Sequence, residues 1–195
     1  MTGRVKVRTR LLVGSLVVSL VASVGLGLAI ASCSGSGNDG DVAVLDPNIK
    51  PPTIGTNAVV EGTPLPAIDV QTRNGDTLST SELIGQPLVI NVWGSTCGPC
   101  KKELPDFAAA HAVYGDRVRF VGIDYLPPSD HEEEFARSKG VQYELLYDAA
   151  GDFVNTMGIS AFPVTLVVTA DGNIVQQTGQ LNEAKLTALI EEYLL

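Results

Sequence analysis

Pro87-Leu-Val-Ile-Asn-Val-Trp93 runs directly into Gly94-Ser-Thr-Cys97-Gly98-Pro99-Cys100-Lys101, and this stretch decides how the rest of the chain is read. Its first half is a short, continuous apolar run of the kind found in buried central strands. Beyond Cys97, residues Leu104, Phe107, Ala108, His111 and Tyr114 recur at steps of three and four, which predicts a helix. Pro105 falls inside that helix and is expected to kink it. The Cys-x-x-Cys therefore sits where a buried strand ends and a helix begins. Three features make the pair reactive there. The helix N-terminus offers unpaired N–H groups and the positive end of the dipole, which stabilise a thiolate on Cys97. Pro99 suits the first helical turn, where its missing N–H has no intrahelical partner to lose. Lys101 and Lys102 add nearby positive charge. A thiol pKa of about 8.5 falls to roughly 3.5–7.5 in such settings. Cys97 is expected to attack, and Cys100, about one turn on and deeper, to resolve.

Two blander roles for the cysteines fit less well. As a structural disulfide, a ring of about four residues removes only ~2 kcal/mol of unfolded-chain entropy, against ~4.7 for a long loop. As a zinc site, a lone Cys-x-x-Cys needs two further ligands, and His111 and His131 lack the close spacing of finger motifs.

Outward from this centre, Ile68–Thr72 and Asp76–Leu78 flank Arg73-Asn74-Gly75, a hairpin signal. Val118–Asp124 reads as the next strand. Ser129 and Glu132 make a capping-box pattern that opens a helix through Lys139, with Glu132–Glu134 expected on a solvated face. His111 is expected to pack or solvate along its own helix. Val164–Thr169 and Asn173–Gln180 flank Ala170-Asp171-Gly172, a second hairpin. Asn182 is placed to cap a last helix with an apolar stripe of Leu186, Leu189, Ile190 and Tyr193. The order β-α-β-α, then a hairpin and a closing helix, predicts an α/β fold with a mixed sheet between helices.

The remainder of the 195-residue chain is of a different kind. Formal charge is −9, yet Arg4, Lys6, Arg8 and Arg10 precede every acidic residue. The chain after residue 32 holds nine basic against 22 acidic side chains, which excludes a footprint for sequence-independent nucleic-acid binding. A basic start followed by the uncharged stretch Leu11–Ile30 is the pattern of a signal peptide, and twenty apolar residues would also serve as a retained anchor helix. Ile30-Ala31-Ser32-Cys33, followed by a polar Ser/Gly/Asn/Asp stretch, resembles the lipobox of bacterial lipoproteins. That resemblance implies cleavage before Cys33 and diacylation of its thiol, which also accounts for the odd count of three cysteines. Residues 1–32 are accordingly expected to be a lipoprotein signal peptide, 33–62 a flexible tether rich in Gly, Asn, Asp and Pro, and 63–195 the folded domain.

Across about residues 64–195 the chain resembles the thioredoxin superfamily, and more narrowly its membrane-tethered TlpA/ResA-type thiol–disulfide oxidoreductases. The residues that carry the resemblance are the N-terminal hairpin, Asn91-Val-Trp-Gly before the motif, Cys100-Lys-Lys-Glu-Leu-Pro after it, and Pro163-Val-Thr-Leu-Val-Val with the later Asp171-Gly-Asn-Ile. It implies a thioredoxin-like fold with an N-terminal hairpin extension, and a cis-proline at Pro163 facing the dithiol; an ordinary strand-entry proline is the alternative. Asn91 stands where ordinary thioredoxins carry a buried Asp. Glu103, three residues past Cys100 on the same helical face, matches a functional glutamate of the TlpA/ResA group. Glu103 is expected to be partly desolvated and to act as general base for Cys100, with a solvated first-turn glutamate as the alternative. Trp93, Thr96, Gly98, Pro99, Phe162 and Pro163 are expected to border a substrate groove. Thr96 and Phe162 depart from family habit, and Phe162 reads equally well as a core aromatic. The peroxidatic pattern of peroxiredoxins is absent around Cys97, and Lys101 rather than His follows Cys100, so no haem-attachment motif exists. No cofactor and no metal are expected.

The function this predicts is an enzyme on the outer side of a bacterial cell membrane, held there by its lipid. It would reduce protein disulfides, among them the one that yields apocytochrome c thiols, as a monomer served by an upstream membrane thiol partner. The Gly-Pro dipeptide matches that of thioredoxin, whose couple lies at about −270 mV against about −120 mV for oxidising relatives. A disulfide-forming oxidant for secreted proteins and a lipid-anchored binding module with a non-catalytic disulfide are the two rivals.

Overall fold

The computed structural model describes residues 56–195; the predicted signal peptide, Cys33 and the tether up to residue 55 lie outside the described residues. The first hairpin forms as β1 (Asp69–Gln71) and β2 (Thr77–Ser79), paired antiparallel around Gly75 at φ 84°. That positive φ is the conformation glycine adopts without steric cost. The apolar run is β3 (Leu88–Trp93), buried along its whole length. It leads into α1 (Gly98–Tyr114), followed by β4 (Arg119–Asp124) and α2 (Asp130–Ser138). Then come β5 (Glu144–Tyr147), α3 (Asp152–Thr156), β6 (Val164–Val168), β7 (Ile174–Thr178) and α4 (Glu183–Tyr193). The seven strands form one mixed sheet in the order β2-β1-β5-β4-β3-β6-β7. β3 lies parallel to β4 and antiparallel to β6.

Alternation along β3 divides the core between the two faces of the sheet. Leu88, Ile90 and Val92 join Leu83, Phe153 and Met157 on one side. Val89 and Trp93 meet Leu104 and Phe107 of α1, Ala136 of α2, and Leu186 and Ile190 of α4 on the other. Asn91 has the same parity as Val89 and Trp93, so the pleat points a polar side chain into the α1 side.

Several expectations are corrected. β5 and α3 were not predicted. β5 is four residues long, too short for periodicity to declare itself, and α3 is a single turn held by Asp148, whose carboxylate accepts from the N–H groups of Phe153 and Val154. On α1 the buried face runs Cys100, Glu103, Leu104, Phe107, Ala110 and Tyr114, so Ala110 replaces Ala108, and the helix continues through Pro105. Tyr193 is exposed and leaves the α4 stripe. Glu132 is the largest departure. Ser129 caps α2 as predicted, but Glu132 is 4% exposed and turns its carboxylate inward to Ser95 instead of lying on a solvated face or closing the box. Residues Asn57–Gly62, assigned from sequence to the tether, are hydrogen-bonded to the body: the Ala58 N–H donates to the Gly158 carbonyl at 2.9 Å and that of Gly62 to Ile174 at 2.8 Å.

Candidate active site

Cys97 is the N-cap residue of α1, with φ −83° and ψ 113°, and its Sγ accepts from the Cys100 N–H at 3.2 Å. A sulfur bearing negative charge is stabilised by such a donor and by the helix dipole behind it. Cys97 and Cys100 are joined by a disulfide. Cys100 is fully buried whereas Cys97 is only partly so, which leaves the Cys97 sulfur as the one an incoming thiol or disulfide can approach. Gly98 and Pro99 are exposed beside it.

One turn further along α1, Glu103 has no exposed surface. Asn91 Nδ2 donates to its Oε1 at 2.7 Å and the Leu181 N–H to its Oε2 at 3.0 Å. Burial pushes the Glu103 carboxyl up to about 7, against the opposing pull of those two hydrogen bonds. The alternative of a solvated first-turn glutamate is thereby excluded. The amide at Asn91 cannot take a proton, but it holds a carboxyl that can.

The Phe162–Pro163 peptide bond is cis, as the resemblance implied. Pro163 is buried and Phe162 is half-buried, packed against both halves of the core. Thr96 is exposed, and its hydroxyl lies 2.8 Å from that of Tyr125. Tyr125 in turn packs against Phe162 at a tilt of 34°, with ring centroids 4.2 Å apart. Phe162 thus packs on Tyr125 beside the dithiol loop and on the core together. Trp93 has to be removed from the groove set: it has no exposed surface and stacks beneath Phe135 inside the core.

Tyr125 is the neighbour of the dithiol loop that sequence reasoning did not single out. It joins the residue before Cys97 to the residue before Pro163. It also packs so closely on Gly94 that a Cβ there would stand 2.6 Å from its ring. A clue existed. β3 and β4 are parallel and in register from Leu88↔Arg119 to Trp93↔Asp124, so the residue just past β4 must flank the loop just past β3. Sites in open α/β sheets form at those carboxyl ends.

Comparison with known proteins agrees with this geometry. The model of the AhpC/TSA family matches residues 62–177. The thiol-disulfide oxidoreductase ResA of Bacillus subtilis is 26% identical over 134 residues, covering 68% of this chain and 75% of its own. A putative protein disulfide isomerase from Bacteroides thetaiotaomicron, known in solution, superposes with a TM-score of 0.62 at 25% identity, over 70% of this chain and 89% of that one. A secreted Mycobacterium tuberculosis disulfide oxidoreductase homologous to E. coli DsbE shares the fold, with a TM-score of 0.57 at 22% identity, over 65% of this chain and 96% of that one.

Proposed function

The chain belongs to the AhpC/TSA family and has its thioredoxin-like fold, and from that premise we propose that it is a lipid-anchored dithiol reductase of protein disulfides outside the cytoplasm. That it is a thiol–disulfide oxidoreductase follows from its ResA relatives and its Cys97–Cys100 pair. The direction of electron flow, the client and the anchor are the proposal. The single observation that carries the exchange chemistry at its centre is the pairing of a partly buried Cys97 at a helix mouth with a fully buried Cys100 one turn from a buried carboxyl, and the Gly98-Pro99 dipeptide supports the reducing direction.

In the reduced protein, the Cys97 thiolate attacks one sulfur of a substrate disulfide. A mixed disulfide forms and the other substrate sulfur leaves as a thiolate, which takes up a proton. Cys100 must then lose its proton to attack the Cys97 sulfur. Glu103, with its pKa near the working pH, is the group to accept that proton. Closure of the Cys97–Cys100 disulfide releases the substrate as a dithiol. An upstream membrane dithiol restores the reduced pair by the reverse sequence. The disulfide formed between the two cysteines of the Cys-x-x-Cys-His motif of apocytochrome c is the proposed client, reduced to the thiols that haem attachment needs, in keeping with the TlpA/ResA resemblance. Cys33, diacylated, would hold the domain at the membrane. Thr96, Gly98, Pro99, Phe162 and Pro163 would border the substrate, with Tyr125 bridging the two sides.

The deciding experiment equilibrates the purified domain with glutathione buffers and reads the potential, alongside insulin reduction by the parent and Cys97→Ser. A potential nearer about −270 mV than about −120 mV, with activity lost in Cys97→Ser, supports the reductase. A value near the oxidising end reverses the direction. Equal activity in both proteins leaves a binding module.

A further inference from the structure

Behind the loop that carries Cys97 lies a second buried acidic group for which the exchange reaction described above has no use. Asp124, the last residue of β4, has no exposed surface, and Glu132 of α2 is 4% exposed. Glu132 accepts from Ser95 twice, from the backbone N–H at 3.1 Å and from the hydroxyl at 2.6 Å. Ser95 stands two residues before the nucleophile, inside a turn closed by the Cys97 N–H donating to the Gly94 carbonyl at 3.1 Å. Asp124 uses one carboxylate oxygen, Oδ1, to accept from the Leu126 N–H at 2.8 Å. Its Oδ2 is buried with no donor facing it. Asp124 is in register with Trp93, two residues before the Ser95 that Glu132 holds, and the Glu132 carboxylate is the acidic neighbour that bears on it. Two buried carboxylates in contact cannot both ionise at acceptable cost, and one proton between them satisfies the orphaned oxygen and the repulsion together.

We propose that Asp124 and Glu132 share one proton, and that the resulting neutral-acid-to-carboxylate hydrogen bond fixes Glu132 as the positioning residue for the Gly94–Cys97 loop. This rests on the reading that Cys97 is the nucleophile. The direction of the Asp124 titration agrees with it: burial first, and then the Glu132 carboxylate, push the Asp124 carboxyl up to about 8. The other titratable groups around the pair are few. Tyr147 of β5 is the register partner of Asp124, and its hydroxyl donates to Glu133. Asp148 gives its N–H to the Asp124 carbonyl and turns its carboxylate to α3. His131 Nε2 lies 4.0 Å from Glu132 Oε1. Ser95, Tyr147 and Asp148 already have partners for their side chains, and the exposed His131 stands against Glu132 and leaves Asp124 Oδ2 without a donor, so the orphaned oxygen falls to the carboxyl pair. Its consequence for catalysis is electrostatic as well as steric. One negative charge rather than two then lies beneath the thiolate that Cys97 must form.

The test uses the reduced full domain and reads the Cys97 thiolate by its ultraviolet absorbance against pH, together with the rate of insulin reduction. Glu132→Gln lacks one of the two acceptor oxygens for Ser95. It is expected to shift the Cys97 titration and to slow exchange about tenfold, since small misplacements of reacting groups cost that much or more. Asp124→Leu, which removes the shared proton, should shift the titration likewise, and Asp124→Asn, which restores an N–H donor toward Glu132, should bring it back toward the parent curve. An infrared band of a neutral carboxylic acid, recorded at pH 6.5 in a Glu103→Gln background, should vanish on Asp124→Asn. Absence of that band in the background protein, or Glu132→Gln with an unshifted titration and parental rate, overturns the proposal. Cys97→Ser retaining insulin reduction would instead overturn the reading of the nucleophile on which it rests.

Discussion

A carboxyl that folds into a site where its pKa is about 7 holds a proton that the unfolded chain gives up near 4.5, and Glu103 is such a group. Between those two pH values the native state binds the extra proton, so stability declines as pH rises from 4.5 through 7 and levels off above. The contribution over that window is roughly 3 kcal/mol. Glu103→Gln should flatten that part of a denaturant-midpoint-against-pH curve, leaving the decline that Asp124 continues to about 8. Catalysis has the opposite sign, because the base must be ionised. The rate at which Cys100 resolves a mixed disulfide should rise through about pH 7 in the parent and lose that inflection in Glu103→Gln. Stopped-flow measurement with a trapped mixed disulfide checks this, and an unchanged profile removes Glu103 from the mechanism. Tyr125 is the other residue to probe. Tyr125→Ala loses the packing on Phe162 and the contact with Thr96, an aromatic pair worth about 1 kcal/mol. KM for a protein disulfide should rise about fivefold, while the rate with a small-molecule disulfide, which needs no groove, should stay near the parental value.

At the scale of elements, the loop before Pro163 depends on a segment far away in the chain. Asn57 Oδ1 accepts from the N–H groups of Ser160 and Ala161, both at 2.8 Å, and its Nδ2 donates to the Ala161 carbonyl at 3.1 Å. Val60 and Glu61 then bind Gln177, so the strap reaches β7. Asn57→Ala should cost about 1 kcal/mol locally and speed amide exchange at Ser160 and Ala161 about fivefold, measurable by hydrogen exchange. A chain starting at Thr63 loses the whole strap and should melt several degrees below one starting at residue 56. In α1, Phe107→Ala empties a fully buried site between the sheet and α4 and should destabilise the domain by about 3–5 kcal/mol in urea titration. Elements whose own residues carry the signal were legible: β3 by its apolar run, and the two hairpins by Asn-Gly and Asp-Gly. β5 and α3 were not, because each is too short for a period to show, and the Asn57 strap was not, because its partners lie far away in the chain.

For the molecule as a whole, local chemistry settled the dithiol, the strand-to-helix junction that activates it and the α/β character of the domain. These follow from nearest-neighbour rules: period, capping, turn residues, and two sulfurs spaced one helical turn apart. Only the tertiary structure decided which polar side chains are dry. The chain is acidic after its first residues, and nothing in its order distinguishes the buried Glu132 from the exposed Glu134, while Glu103 stood out only through the family resemblance. Likewise Trp93 belongs to the core and Tyr125 to the neighbourhood of the dithiol loop because of where β3 and β4 end side by side. Burial is a property of what the rest of the chain brings to a residue. The proton affinities of the buried carboxyls were therefore set by packing across the sheet, although the paired sulfurs themselves could be read from a single tetrapeptide.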